Sequence, residues 1–303
     1  MKLLTYKKKD SKTHQLGVLQ NQIIYNLNHY FGDISLIELL KIENYQDLII
    51  SKIENEDCVK HKMEDIILLS PIQNPPSFRD AYAFRQHVQT SRKNRGVDMI
   101  PEFDQFPVFY FSNHNAIFAD QQEIHLMPDH FEKLDYELEI AIIIGEGGKN
   151  ILSKNADQHI AGFCILNDLS ARTLQMEEMK MNLGPSKGKD FANILGPYLV
   201  TPNELENKCI NTSFGKKYNL KMKCFLNGKL MSEGNSIDMN WTFAEIIERA
   251  SYGVELFTGD VIGSGTAGTG CLLEINGTSL RNNSEYKERW INENDVIEMH
   301  IEG

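Results

Sequence analysis

Alternating apolar and polar positions predict short strands at the start of the chain: Leu3–Tyr6, Gln15–Leu19 and Ile23–Leu27, the last two joined by a tight turn at Gln20-Asn21-Gln22. The period then lengthens. Residues 34–40 and 45–53 read as short amphipathic helices, with Asp33 or Ser35 available to cap the first. A strand at Ile66–Leu69 runs into Ser70-Pro-Ile-Gln-Asn-Pro-Pro76, which is too rigid to extend it. This punctuation predicts a small N-terminal accessory domain over 1–72 and a larger domain over 73–303.

Further along, residues 80–87 read as a loop entering a helix, and the basic stretch 89–96 after it suggests a mobile lid. Residues 106–111 form an aromatic strand, 113–119 a loop and 123–127 another short strand. The wholly apolar Ile140–Ile144 and the run 162–166 are buried strands. Residues 154–159 and 170–181 are helical, and Met176, Met179 and Met181 are expected to pack. A loop carrying Lys187 and Lys189 leads to a strand near 198–201. Asn227-Gly228 joins two strands, 220–226 and 229–232, as a type I′ hairpin. A helix over 241–252, a Gly/Thr-rich loop to Gly270 and a last strand at Ile297–Ile301 complete an α+β chain of many short strands.

Composition narrows the partners. The 303 residues carry a formal charge of -11, which argues against nucleic acid but not against a small anionic substrate in a local basic pocket. Five cysteines without a Cys-x-x-Cys pair read as buried free thiols in a reducing, cytoplasmic setting. No apolar run approaches a membrane span, and the N-terminus lacks a signal-peptide pattern.

The chemistry centres on residues 134–189. Glu137 and Glu139 are two apart, so on a strand they share a face and repel each other unless a cation lies between them. Asp168 follows a separate strand. Three hard oxygen ligands suit Mg²⁺, with Mn²⁺ or Ca²⁺ as substitutes. Arg172 and Gln175, three apart, share a helical face near Asp168. The late loop matches Gly-x-Gly-x-x-Gly from Gly263, but neither a βαβ unit nor a ribose-binding acid supports a nucleotide role.

Asp80-x-Tyr82-x₄-His87, Glu137-x-Glu139, Asn167-Asp168-x-Ser-Ala-Arg172-x₂-Gln175, Gly188-Lys189-x-Phe191 and the Gly/Thr-rich loop together resemble the fumarylacetoacetate hydrolase family, over residues 77–303. The resemblance implies a mixed β-sandwich roll, a small N-terminal α+β domain and a homodimer. It implies a metal held by Glu137, Glu139 and Asp168, with Asp80 as a further ligand. His87, Lys189 and Gln175 are implied as catalytic, and Tyr82, Tyr110, Arg172 and Thr266 as substrate-binding. The implied activity is C–C hydrolysis of an acylpyruvate or other 2,4-dioxo acid. The alternatives are an oxaloacetate decarboxylase, a 2-oxo-acid hydratase or isomerase, and a silent 2-oxo-acid-binding homologue. Family hydrolases pair the histidine with a glutamate; here Thr90 and Ala267-Gly268-Thr269 stand at the usual positions. His87 is therefore expected to be unassisted or partnered by Glu102. Met179 replaces a tyrosine of the animal enzyme, and Asn193 replaces a small hydroxyl residue near Lys189.

Overall fold

The computed structural model describes residues 1–55 and 58–303. Four strands come first: β1 (Lys2–Lys8), β2 (Gln15–Gln20), β3 (Ile23–Asn26) and β4 (Lys60–Lys62), all antiparallel to their neighbours. Asn21 and Gln22 both adopt positive φ, as a two-residue hairpin with the right-handed twist of its strands requires. Ser35 caps the helix Leu36–Leu40 reciprocally with Glu38.

The remainder supplies β5 (Phe78–Ala81), α1 (Arg85–Asn94), β6 (Phe109–Phe111), β7 (Leu138–Ile144), β8 (Ile160–Asp168), α2 (Arg172–Glu178) and β9 (Asn193–Val200). It continues with β10 (Lys221–Leu226), β11 (Lys229–Asn235), α3 (Phe243–Ser251), β12 (Val261–Gly263), α4 (Leu272–Asn282) and β13 (Ile297–Ile301). One mixed sheet runs β4-β3-β2-β1-β9-β8-β7-β12-β5-β6. Lys2 pairs with Val200, so the N-terminal strands extend the same sheet that bears the acids.

β7 is its centre, and all seven of its residues are buried. Leu138, Ile140, Ile142 and Ile144 pack toward α3 and β10, where Ile246, Ile247 and Met222 lie. Ala141 and Ile143 face a second core with Leu3, Leu16, Leu39 and Leu199. Each such aliphatic side chain contributes roughly 1.5–3 kcal/mol by leaving water. Both faces are thus covered, and the acids at the start of the strand sit at the rim of a dry interior. Asn227 and Gly228 turn the β10–β11 hairpin with positive φ, as expected.

The structure departs from the sequence reading at several elements, including Ile117–Phe118, a short strand within the stretch read as a loop. Asp80 lies on β5 rather than in a loop. Residues 123–127 find no partner and form no strand. Met179 is 40% and Met181 79% exposed, so these two do not pack as expected. The helix α4, absent from the sequence reading, follows the Gly/Thr-rich loop.

Candidate active site

Strand register assembles the acids. Asp80 on β5 stands opposite Tyr110 on β6 and beside Gly263 on β12. Ala141, two residues beyond Glu139, pairs with Gly263, while Leu138 pairs with Asn167 and Asp168 with Asn193. Asp80, Glu137, Glu139 and Asp168 consequently present carboxylate oxygens that all lie within 4.8 Å of one another. A side chain at Gly263 would put its Cβ 2.4 Å from Asp80 Oδ1 and 3.1 Å from Glu139 Oε2, so this crossing admits only glycine. The next glycine, Gly265, donates its N–H to both Asp80 Oδ1 (3.2 Å) and Glu139 Oε2 (3.0 Å).

All four acids are buried, and so is Asp135; the cations among them are Lys189 and Arg172. Lys189 Nζ reaches Glu137 Oε2 at 2.5 Å and Asp168 Oδ2 at 2.6 Å. Burial alone would lower the Lys189 pKa, but Asp168 and Glu137 outweigh it and hold the ammonium above its ordinary value. Burial likewise works to raise Glu137, yet Lys189, Arg172 and His87 together carry it below the carboxylate range. The other acids go the opposite way. Burial pushes Asp168 up to about 7 against the pull of Lys189. Burial, with Asp80 and Glu137 nearby, holds Glu139 well above its usual value. Burial also raises Asp80.

Glu139 Oε1 and Asp168 Oδ1 are buried without any hydrogen-bond partner. Buried carboxylate oxygens left bare, in a cluster whose acids outnumber its cations, fit a hard divalent cation with oxygen ligands.

Arg172, expected to clamp substrate, has its donors engaged elsewhere. Nε and Nη2 each approach Asp135 Oδ2 at 2.8 Å, Nη2 donates to Glu137 Oε1 at 2.7 Å, and Nη1 donates to Gln175 Oε1 at 2.9 Å. Tyr110 likewise donates its hydroxyl to Asp168 Oδ2 at 2.6 Å. Both residues therefore hold acids in place. Tyr82, Thr266, Gln175, Lys189 and His87 line one cavity of about 790 Å³, within the range of small-molecule sites, and Arg172 and Tyr110 border it too. Asn193, near Lys189, donates to Ser112 at 3.2 Å.

His87 is not alone. Its Nδ1 lies 2.8 Å from Glu274 Oε2, and both side chains are buried. Glu102 is exposed on the short helix Pro101–Asp104 and takes no part. Glu274 sits in the first turn of α4, whose N-terminus is fixed by Asp135: its carboxylate accepts from the N–H of Leu272 (2.7 Å) and of Leu273 (3.0 Å). Asp135 thereby joins the helix bearing Glu274 to the arginine that holds Glu137. The sequence reading quoted Asp135 only as part of its motif and passed over Glu274 entirely. The available signal was a glutamate three residues after Cys271, at the start of a helix.

The family model for the fumarylacetoacetate (FAA) hydrolase C-terminal domain matches residues 77–303. The chain belongs to the fumarylacetoacetate hydrolase family. The chain is 34% identical over 160 residues to the mitochondrial oxaloacetate tautomerase FAHD2B of Bos taurus, covering 53% of this chain and 48% of that protein. To the oxaloacetate tautomerase YisK of Bacillus subtilis it is 32% identical over 171 residues, covering 55% and 51%. The chain thus spans about half the length of these curated relatives. The maleylpyruvate hydrolase of Sphingobium sp. SYK-6, solved with manganese(II) and pyruvate, shares the fold at a TM-score of 0.72 and 18% identity, covering 99% of this chain and 95% of that one. The α+β architecture, with its large mixed sheet and small N-terminal α+β region, is that of the family. Among the described residues no helix is long and apolar enough to cross a membrane.

Proposed function

We propose that this protein is a metal-dependent tautomerase of a 2-oxo diacid of the oxaloacetate class, interconverting its enol and keto forms. The observation that carries a proton-transfer role is His87 on the cavity wall, backed by buried Glu274 and facing the cavity that Asp80 and Glu137 of the carboxylate cluster also line; such a pair serves hydrolysis as well as tautomerisation. The sequence relatives named as oxaloacetate tautomerases support isomerisation over the C–C hydrolysis first expected.

Glu137, Glu139, Asp168 and Asp80 would hold the cation, with Mg²⁺ or Mn²⁺ suited to an all-oxygen set. When bound, a divalent ion supplies Lewis acidity toward the 2-oxo acid end of the substrate. The rest falls to side chains. Glu274, hydrogen-bonded to Nδ1, orients the His87 ring and leaves the other nitrogen free for the substrate. In the enol-to-keto direction His87 would deliver a proton to C3 while the C2 hydroxyl proton passes to solvent water, from which the imidazole regains the proton it gave, so neither substrate nor enzyme gains a net proton. Lys189 and Gln175, which line the same cavity, would meet negative charge developing on the substrate oxygen. Thr266 and Tyr82 would fix the diacid's remaining groups.

Hydrolysis of an acylpyruvate is the second reading. A specific feature favours it: the cavity continues along Val108, Phe109, Met176, Met179 and Leu280, more apolar wall than a four-carbon diacid needs.

One experiment separates the two. Enol oxaloacetate is added to the Mg²⁺-loaded protein, and loss of the enol absorbance is followed alongside deuterium uptake at C3 by NMR. Acceleration over Mg²⁺ in buffer, lost in His87→Ala, is the expected result. No acceleration, together with release of pyruvate from acetylpyruvate or fumarylpyruvate, would replace tautomerisation with hydrolysis.

A further inference from the structure

The dyad has a third neighbour. The ligand atoms of His87, Cys271 and Glu274 all lie within 4.8 Å of one another, in a group separate from the four carboxylates. Cys271 and Glu274 are three apart around the start of α4, so both face α1, which brings His87. Exposure is 0% for Cys271, 1% for Glu274 and 6% for His87. Cys271 stands at the N-cap position of α4 yet makes no capping bond through its side chain. Glu274 Oε1, buried in the same group, has no hydrogen-bond partner. A clasp keeps the two helices together: Asn94 Nδ2 donates to the Glu274 carbonyl (3.1 Å) and to Thr278 Oγ1 (3.2 Å), and Arg281 Nη1 donates to Asn94 Oδ1 (3.0 Å).

We propose that His87, Cys271 and Glu274 form a second metal site, selective for zinc-class cations and reached from the cavity through His87. One imidazole, one thiolate and one carboxylate make three protein ligands with an open fourth position, a set that suits Zn²⁺. Mg²⁺ does not compete for it, because a sulfur ligand is too soft for that ion. The two clusters thus divide by ligand hardness. Binding transfers the Cys271 thiol proton to solvent and leaves all oxidation states unchanged. If His87 carries the proton in the tautomerisation proposed above, an ion held there removes it from the reaction, so Zn²⁺ would inhibit the Mg²⁺-loaded enzyme without displacing Mg²⁺.

The test uses the full chain saturated with Mg²⁺ and titrates Co²⁺ as a spectroscopic substitute for zinc. A thiolate-to-cobalt charge-transfer band should appear in the near ultraviolet and vanish in Cys271→Ser. Serine is a preferred N-cap, so this variant keeps α4, and its Mg²⁺-supported turnover should match wild type. The Zn²⁺ concentration for half-inhibition should rise roughly a hundredfold in Cys271→Ser, the upper end of what even outer ligand partners are worth. Cys271→Ala, checked for folding by circular dichroism, should behave as the serine variant does. No band in wild type, or the same band in both variants, would overturn the site. A band without loss of turnover would leave the site standing and overturn the proton-transfer role given to His87.

Discussion

Two buried arginines in this molecule each face carboxylates, and they end differently. Arg79 on β5 lies 3.7 Å from Asp260, whose Oδ1 also accepts from Ser77 (2.6 Å) and whose Oδ2 accepts from the Phe257 N–H (2.8 Å). Its guanidinium also lies 4.8 Å from the Phe111 ring centre. One cation meets one acid there, and both carboxylate oxygens are used. Arg172 meets Asp135 and Glu137, and behind Glu137 stand Asp168, Glu139 and Asp80 with Lys189 as the one additional cation named among them. Two carboxylate oxygens of that group remain bare. Burial alone therefore does not mark a functional site, since both clusters are buried. An excess of acid with unmatched oxygens does.

Substitutions should separate the two clusters by opposite signatures. The largest effect is expected at the dyad: His87→Ala should slow turnover roughly 10²–10⁴-fold, and Glu274→Gln should follow it, with Mg²⁺ affinity unchanged by calorimetry. Equal loss of Mg²⁺ affinity would mean that the histidine belongs to the metal site instead. Next, Glu139→Gln should lower Mg²⁺ affinity by about a hundredfold or more while leaving the metal-free protein at least as stable, because it removes one of several crowded acids. Asp260→Asn should do the reverse. It leaves Arg79 uncompensated, costs about 3–5 kcal/mol in urea denaturation, and does not touch Mg²⁺ affinity.

The smallest effect is in pH. Asp168, Glu139 and Asp80 are raised above their ordinary values, so between about pH 4 and Asp168's value of about 7 the metal-free native state holds more protons than the unfolded chain. These groups therefore make its stability fall as pH climbs through that window. Glu137, lowered, contributes stability that is present above its unfolded pKa and is lost only in stronger acid. Since a cation competes with the protons on the raised acids, the Tm gain from saturating Mg²⁺ should grow from about pH 5 to about pH 7.5. A gain that shrinks over that range would contradict the assignment.

Legibility in the sequence followed locality. Glu137 and Glu139 share one strand motif, and Asp168 ends the neighbouring strand, so spacing alone brought out the acids. The hairpin at Asn227-Gly228 was legible because its positive φ demands those residues. Glu274 was not, for two reasons. Its helix carries Asn276 and Gly277 in its interior, which weakens the helical pattern, and its partner His87 lies 187 residues away. Residues 123–127 show the converse: they have strand-like composition but no neighbouring strand to pair with. Arg172 was read as a substrate clamp because arginine suits carboxylates in general; only the fold reveals that the carboxylates it meets are the protein's own.

The proposed chemistry requires a divalent cation held by the carboxylate cluster beside the dyad. Anomalous diffraction from crystals grown with Mn²⁺ tests it directly. The expected result is one strong peak within about 2.0–2.5 Å of oxygens from Glu137, Glu139 and Asp168. A well-occupied peak elsewhere, with those three side chains still bonded only to Lys189, Arg172, Tyr110 and Gly265, would contradict it.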